Sequence, residues 1–185
     1  MIFVIWAIVF VLGIWIISTY NGLTALRLRL QNAWRQIDVQ LRRRYDLIAN
    51  LVGTIKGYVK DDQDTLQKVL EARSQAMAAK GVKEAAAAQT ALNQSLGQVF
   101  ALMENYPELK ASKNVLDLQQ EFTTSENQIT FARQYYNDLV THYNMKQQVF
   151  PSSVLAGLFG FKPSEFFEVA GTEKALPRVN LSLSR

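Results

Sequence analysis

The first seventeen residues carry only apolar side chains or none, and no side-chain charge appears before Arg27. A helix running from the start to Leu26 would be about 39 Å long, against a bilayer hydrocarbon core of about 30 Å. So much uninterrupted apolar surface dictates a membrane-spanning segment, and Trp6, Trp15 and Tyr20 suit the aromatic belts that sit at lipid–water boundaries. A cleaved secretory signal would need a basic leader and a small-residue cleavage site. Nothing basic precedes Ile2, and Ser18-Thr19-Tyr20-Asn21 does not match such a site. The expectation is an uncleaved single-pass anchor over residues 1–21, a helical bundle over 22–149 and a distinct tail over 150–185.

Charge is distributed unevenly beyond the span. Residues 21–60 hold eight Lys/Arg against Asp38 and Asp46, a net of +6, whereas residues 61–185 hold twelve against fourteen, a net of −2. Basic residues next to a span favour the cytoplasmic side, so Arg27, Arg29, Arg35 and Arg42 to Arg44 place the soluble part in the cytoplasm and the anchor in the cell (inner) membrane. The same arginines are explained by lipid headgroups without invoking nucleic acid, which is not expected as a partner.

Gly and Pro are scarce, at nine and four, and the middle of the chain is filled by Ala, Leu, Gln, Lys, Arg and Glu, which enter helices at least cost. Leu30, Trp34, Ile37, Leu41, Arg44, Ile48, Leu51, Ile55 and Tyr58 fall at alternating steps of four and three, the seam of a helix in a bundle or coiled coil. A second helix is expected to start at Asp61, Asp62 and Asp64, whose carboxylates suit a helix N-terminus. It continues through Leu66, Val69, Leu70, Arg73 and Met77 toward Gly81. The third presents Leu92, Leu96, Val99, Met103 and Tyr106 before Pro107. Val115, Leu118, Phe122, Ser125, Ile129, Ala132, Tyr136, Leu139 and Tyr143 form the most regular stripe, on a last helix that stops before Pro151. The fold class is all-α: an up-and-down four-helix bundle with long outer helices, or three long helices if Gly81 lies inside one continuous rod.

Arg44 occupies a core-type position, and a buried guanidinium requires a carboxylate. Glu126, beside the seam of the last helix, is the expected partner; the alternative is that Arg44 snorkels to the bundle edge. The tail is rich in phenylalanine. Phe150, Phe159, Phe161, Phe166 and Phe167 need cover, from the chain's own bundle, the bilayer interface or a neighbouring copy. Pro151, Gly157, Gly160 and Pro163 favour an irregular docked segment over a surface helix, and residues 172–185 are expected to be loosely held.

Chemistry is hard to find. The chain has no cysteine and one histidine, His142, which excludes disulfides, a catalytic thiol and a typical zinc site. Asp61, Asp62 and Asp64 lack the glycine turn and distal glutamate of a calcium loop. No phosphate-binding or nucleophile-elbow motif occurs, so no cofactor or metal is expected. Glu126, Arg133, Tyr136 and His142 are the one plausible polar cluster for an enzyme completed between protomers. The Tyr-Asn pairs at Tyr136-Asn137 and Tyr143-Asn144 read as the edge of a core.

The segments Asn32-Ala33-Trp34, Ile37-Asp38-Val39-Gln40-Leu41, Arg43-Arg44-Tyr45-Asp46-Leu47-Ile48 and Lys56-Gly57-Tyr58 resemble the bacterial LemA family. So do Glu104-Asn105-Tyr106-Pro107-Glu108-Leu109-Lys110, Glu126-Asn127-Gln128-Ile129, Ala132-Arg133-Gln134-Tyr135-Tyr136-Asn137, Tyr143-Asn144 and Phe150-Pro151-Ser152. The resemblance runs in order along nearly the whole chain. Ala49 departs from it, standing where members usually have proline, which points to a straighter first helix. The resemblance implies a membrane anchor followed by a helical bundle and supplies no enzymatic reaction. It associates members with a membrane protease or other envelope proteins.

The leading expectation is therefore a non-enzymatic scaffold or adaptor, tethered to the bilayer, self-associating as a homo-oligomer and serving envelope or membrane-protein quality control. The alternative is a lipid-binding or membrane-shaping module built from the juxtamembrane arginines and the Phe-rich tail.

Overall fold

The computed structural model describes residues 1–59 and 62–169. Every regular element among them is helical: α1 (Ile2–Ile55), α2 (Gln63–Ala78), α3 (Val82–Met103), α4 (Pro107–Lys110), α5 (Lys113–Gln148) and α6 (Ser152–Leu158). The apolar opening and the first amphipathic stripe belong to one helix of 54 residues. Its apolar part has a mean hydropathy of 2.6 over eighteen residues, none of them buried, so it is long and apolar enough to cross a membrane and is not the core of anything described.

The described residues fall into two compact units. The first comprises Met1–Leu47 and Gln119–Phe167. In it α1 turns Leu23, Leu30, Ala33, Ile37, Leu41 and Tyr45 inward, while α5 supplies Phe122, Ile129, Tyr136, Leu139, Val140 and Tyr143. Leu30, Ile37, Leu41, Phe122, Ile129, Tyr136, Leu139 and Tyr143 belong to the three–four seams read from the sequence, Leu23, Ala33, Tyr45 and Val140 widen them, and burial contributes about 1.5–3 kcal/mol for each large side chain. Ala132, expected in the same seam, is half-buried. Trp34 is half-buried too, its ring being shared with two other aromatic rings.

The second unit is built on Ile48–Leu118. Ile48, Leu51, Val52, Ile55 and Val59 are buried, whereas Tyr58, expected to continue the stripe, is 54% exposed. The helix ends at Ile55 and the chain leaves its register, so Val59 takes the inward position. Asp62 sits at the N-cap of α2 without a side-chain capping bond; its carboxylate lies 3.5 Å from the Tyr106 hydroxyl instead. Asp61 lies outside the described residues. In α2 Ala76 is buried and Met77 is exposed, because Ala76 lies seven residues beyond the buried Val69, nearer a whole number of turns than Met77 at eight.

Helices α2 and α3 are separate, which selects four helices over three long ones. Gly81 has a φ of +85°, a left-handed conformation that a residue without Cβ adopts freely, and it marks the start of α3. Glu84 then accepts the Lys80 N–H at 2.8 Å. Pro107 opens the single turn α4, whose Leu109 is fully buried.

Residues 150–169 overturn one expectation. In place of a wholly irregular segment, a seven-residue helix, α6, forms between Pro151 and Phe159. Pro151 precedes its first turn, where a missing N–H costs nothing, and Gly157 lies in its last turn. Punctuating residues delimit the helix instead of preventing it. Residues 161–169 form neither helix nor turn, and the expectation of a loose end over 172–185 lies outside the described residues.

Candidate functional site

Helices α1 and α5 hold the polar features of the first unit. Arg44 and Glu126 meet there, Nη1 to Oε2 at 2.9 Å, with side-chain exposures of 11% and 45%. Burial pushes the Arg44 pKa below its ordinary value, and the Glu126 carboxylate opposes that shift. An arginine stays charged regardless, so the pair anchors a cation inside the seam. One helical position away, the Ser125 hydroxyl is buried with no hydrogen-bond partner among the described residues.

The other residues of the candidate polar cluster differ in their surroundings. Tyr136 donates its hydroxyl to the Glu165 carbonyl at 3.0 Å, His142 is exposed, and Arg133 is half-buried. Burial, and then the nearby Glu165 charge, push the Tyr136 pKa up to about 12. No group of three or more metal-ligating side chains occurs among the described residues.

What the sequence did not reveal is how the extended segment is held. Asn137 donates Nδ2–H to the Phe167 carbonyl at 3.2 Å and accepts the Phe167 N–H at 2.9 Å. Asn144 does the same to Ser164, at 2.9 and 2.8 Å. Each amide thus completes both backbone groups of one residue, as a neighbouring β-strand would. The spacing explains why it works. Seven helical residues rise about 10.5 Å, and three extended steps cover about 10 Å, so positions 137 and 144 face positions 167 and 164 in register. The segment runs antiparallel to α5 as a strap. Phe167, at its end, is buried against the Trp34 ring with centroids 5.5 Å apart, and Trp34 meets Tyr136 at 5.8 Å.

The phenylalanines of the tail therefore divide. Phe167 is core and Phe161 packs edge-on against Tyr20 at 5.7 Å, as Phe159 does at 5.0 Å. Phe150, Phe159 and Phe166 remain 78%, 48% and 42% exposed. At the other end of the apolar stretch Trp6 is exposed and Trp15 half-buried.

Two concavities lie on this unit. A groove of about 610 Å³ runs between α1 and α5, with Arg35, Val39 and Gln40 on one side and Gln128, Phe131 and Tyr135 on the other. Val39, Phe131 and Tyr135 are 61%, 71% and 52% exposed. A smaller, more polar pocket of about 500 Å³ lies where Arg27 and Gln31 of α1 face Tyr143 of α5 and the start of the strap. Burial raises the Tyr143 pKa there, and the Arg27 charge opposes it.

Comparison with known proteins gives a consistent picture. The model of the LemA family matches residues 33–181. A protein named LemA from Metamycoplasma hominis is 25% identical over 146 residues, covering 78% of this chain and 67% of the relative. Two magnetosome proteins of Paramagnetospirillum magneticum, MamQ 1 and MamQ 2, are each 27% identical over 88 residues, covering 48% of this chain and 32% of theirs. The chain thus spans about two thirds of the first relative and a third of the other two.

Proposed function

The chain belongs to the LemA family, and from that premise we propose that it is a membrane-anchored, non-enzymatic scaffold that self-associates beside the bilayer. The observation that carries the reading is the α1–α5 groove, where Val39, Phe131 and Tyr135 present apolar surface on the two longest helices. Large exposed aromatic residues lining a concave face are what interfaces use. The occupant is a second copy: a two-fold contact places Phe131 of each chain in the groove of the other, and confinement to a bilayer raises the effective concentration that favours it. With the arginine-rich flank inside, the bundle lies on the cytoplasmic face of the inner membrane, where such a scaffold can serve membrane-protein quality control.

Because the chain lacks cysteine, a single introduced thiol reports cleanly. Val39→Cys in native membranes should crosslink to dimer with a short bis-maleimide, and adding Phe131→Glu should abolish the band. Exclusively monomeric protein at every concentration, with no crosslink from position 39 or 131, would sink self-association. Labelling the same thiol in intact cells and in inverted vesicles tests the orientation.

A further inference from the structure

The smaller pocket on the first unit has a composition that the scaffold reading does not use. Arg27 and Lys162 come from separate elements, α1 and the strap, and no carboxylate lines the space between them. Both are exposed, and neither is engaged in an ion pair among the described residues. Tyr143 and Ser164 add polar groups, and Gly160, with a φ of +69°, brings its backbone to the wall. Two unneutralised cations around a polar concavity of about 500 Å³ make a site for a phosphate group.

Its position says where the phosphate comes from. If the hydrocarbon core takes up the apolar residues to about position 21, Arg27 lies six helical residues, about 9 Å, beyond it, at the depth of the headgroups. Phe159, the residue that caps the C-terminus of α6, is in ring contact with Tyr20, the aromatic residue that closes the apolar stretch. Helix α6 buries Leu155 and Ala156 against its own chain, while Val154 and Leu158, four residues apart on one face, are 61% and 76% exposed. Phe159, which follows α6, meets Tyr20 of α1, and Gly160, the next residue, lines the pocket, so this apolar face and the pocket are joined through two consecutive residues. An apolar ridge beside a basic pocket is the arrangement of an interfacial lipid contact.

We propose that Arg27, Lys162 and Tyr143 bind the headgroup phosphate of an anionic phospholipid whose acyl chains lie against the exposed Val154 and Leu158 face of α6. The site rests on the membrane-anchored reading but not on self-association.

The test uses the full chain reconstituted in vesicles of phosphatidylcholine with a minor fraction of phosphatidylglycerol. The readout is the ratio of the two lipids retained by the protein after mild detergent extraction. The wild-type protein should retain phosphatidylglycerol well above its bulk fraction. Arg27→Gln with Lys162→Gln should lower that preference by roughly twenty-five-fold, from about fivefold for each basic residue at an anionic surface. Arg43→Gln with Lys68→Gln removes the same charge outside the pocket and should leave the preference intact. Equal preference in the pocket variant, or an equal loss in the control pair, would overturn the site. Inorganic phosphate competing fully at low millimolar concentration would overturn the lipid source. Protein that does not float with any vesicle would overturn the anchor along with the site, whereas bound protein with no lipid preference overturns the site alone.

Discussion

Replacing Asn137 or Asn144 by alanine should release the strap, and the size of the effect can be worked from its contacts. Each asparagine supplies two hydrogen bonds to the strap backbone. At about 1 kcal/mol net per bond, each single variant loses roughly 2 kcal/mol. The loss at Asn137 should be the larger, because the Phe167 N–H and carbonyl adjoin a buried ring, whereas Ser164 is half-buried and can be hydrated. The total is capped by what docking the strap contributes. Once the strap has left, Phe167 forfeits about 2–3 kcal/mol of burial and nothing further remains to lose. The double variant should therefore cost less than the sum of the two singles. Denaturant unfolding of the detergent-solubilised protein measures the stabilities, and hydrogen exchange of a peptide covering residues 161–169 reports strap release directly. Unchanged exchange in both single variants, or strictly additive losses, would refute the claim that two asparagine amides hold the segment as one unit.

Glu126→Ala should destabilise by about 1–3 kcal/mol, below the cost for a fully buried pair because Glu126 is half-exposed, while Arg44→Met should cost less because it leaves no charge in the seam. Exchanging the two residues should recover part of either single-charge reversal in a double-mutant cycle, and zero coupling would remove the pair as a stabilising contact. With the Tyr136 pKa raised to about 12, against an ordinary value of about 10, its contribution is complete below about pH 10 and is lost as pH climbs toward 12. Tyr136→Phe should flatten that part of an alkaline unfolding profile. Ser125→Ala removes a buried hydroxyl that has no hydrogen-bond partner among the described residues and should stabilise by about 1 kcal/mol, read as a rise in Tm.

Helical periodicity made the long elements legible because each buries one continuous face: Leu30, Ile37 and Leu41 on α1 and Phe122, Ile129 and Tyr136 on α5 are inward as their spacing requires. The spacing failed where a helix ends. Tyr58 lies past the last turn of α1, and near the end of α2 the inward position falls to Ala76, which leaves Met77 outward. Arg44 was conspicuous as a charge in an apolar register, which is a signal that a single helix can carry. The strap was not legible, since its cause is a match between two different rises, seven helical residues against three extended ones. The pairs Tyr136-Asn137 and Tyr143-Asn144 recur at the right interval, yet an asparagine's amide looks the same in sequence whether it meets water or backbone. Helix α6 was obscured by its own boundaries, because Pro151 and Gly157 signal interruption without telling which side of them is ordered.

The uninterrupted course of α1 makes it a lever. Its 54 residues contain no proline to act as a pivot. Were the apolar part to lean by a typical 20° in a bilayer, the stretch from Asn21 to Leu47, about 39 Å long, would carry its far end sideways by about 13 Å. A change in lipid thickness of a few ångströms would thus be delivered to Arg44 and its partner as a displacement several times larger, with no moving joint in between.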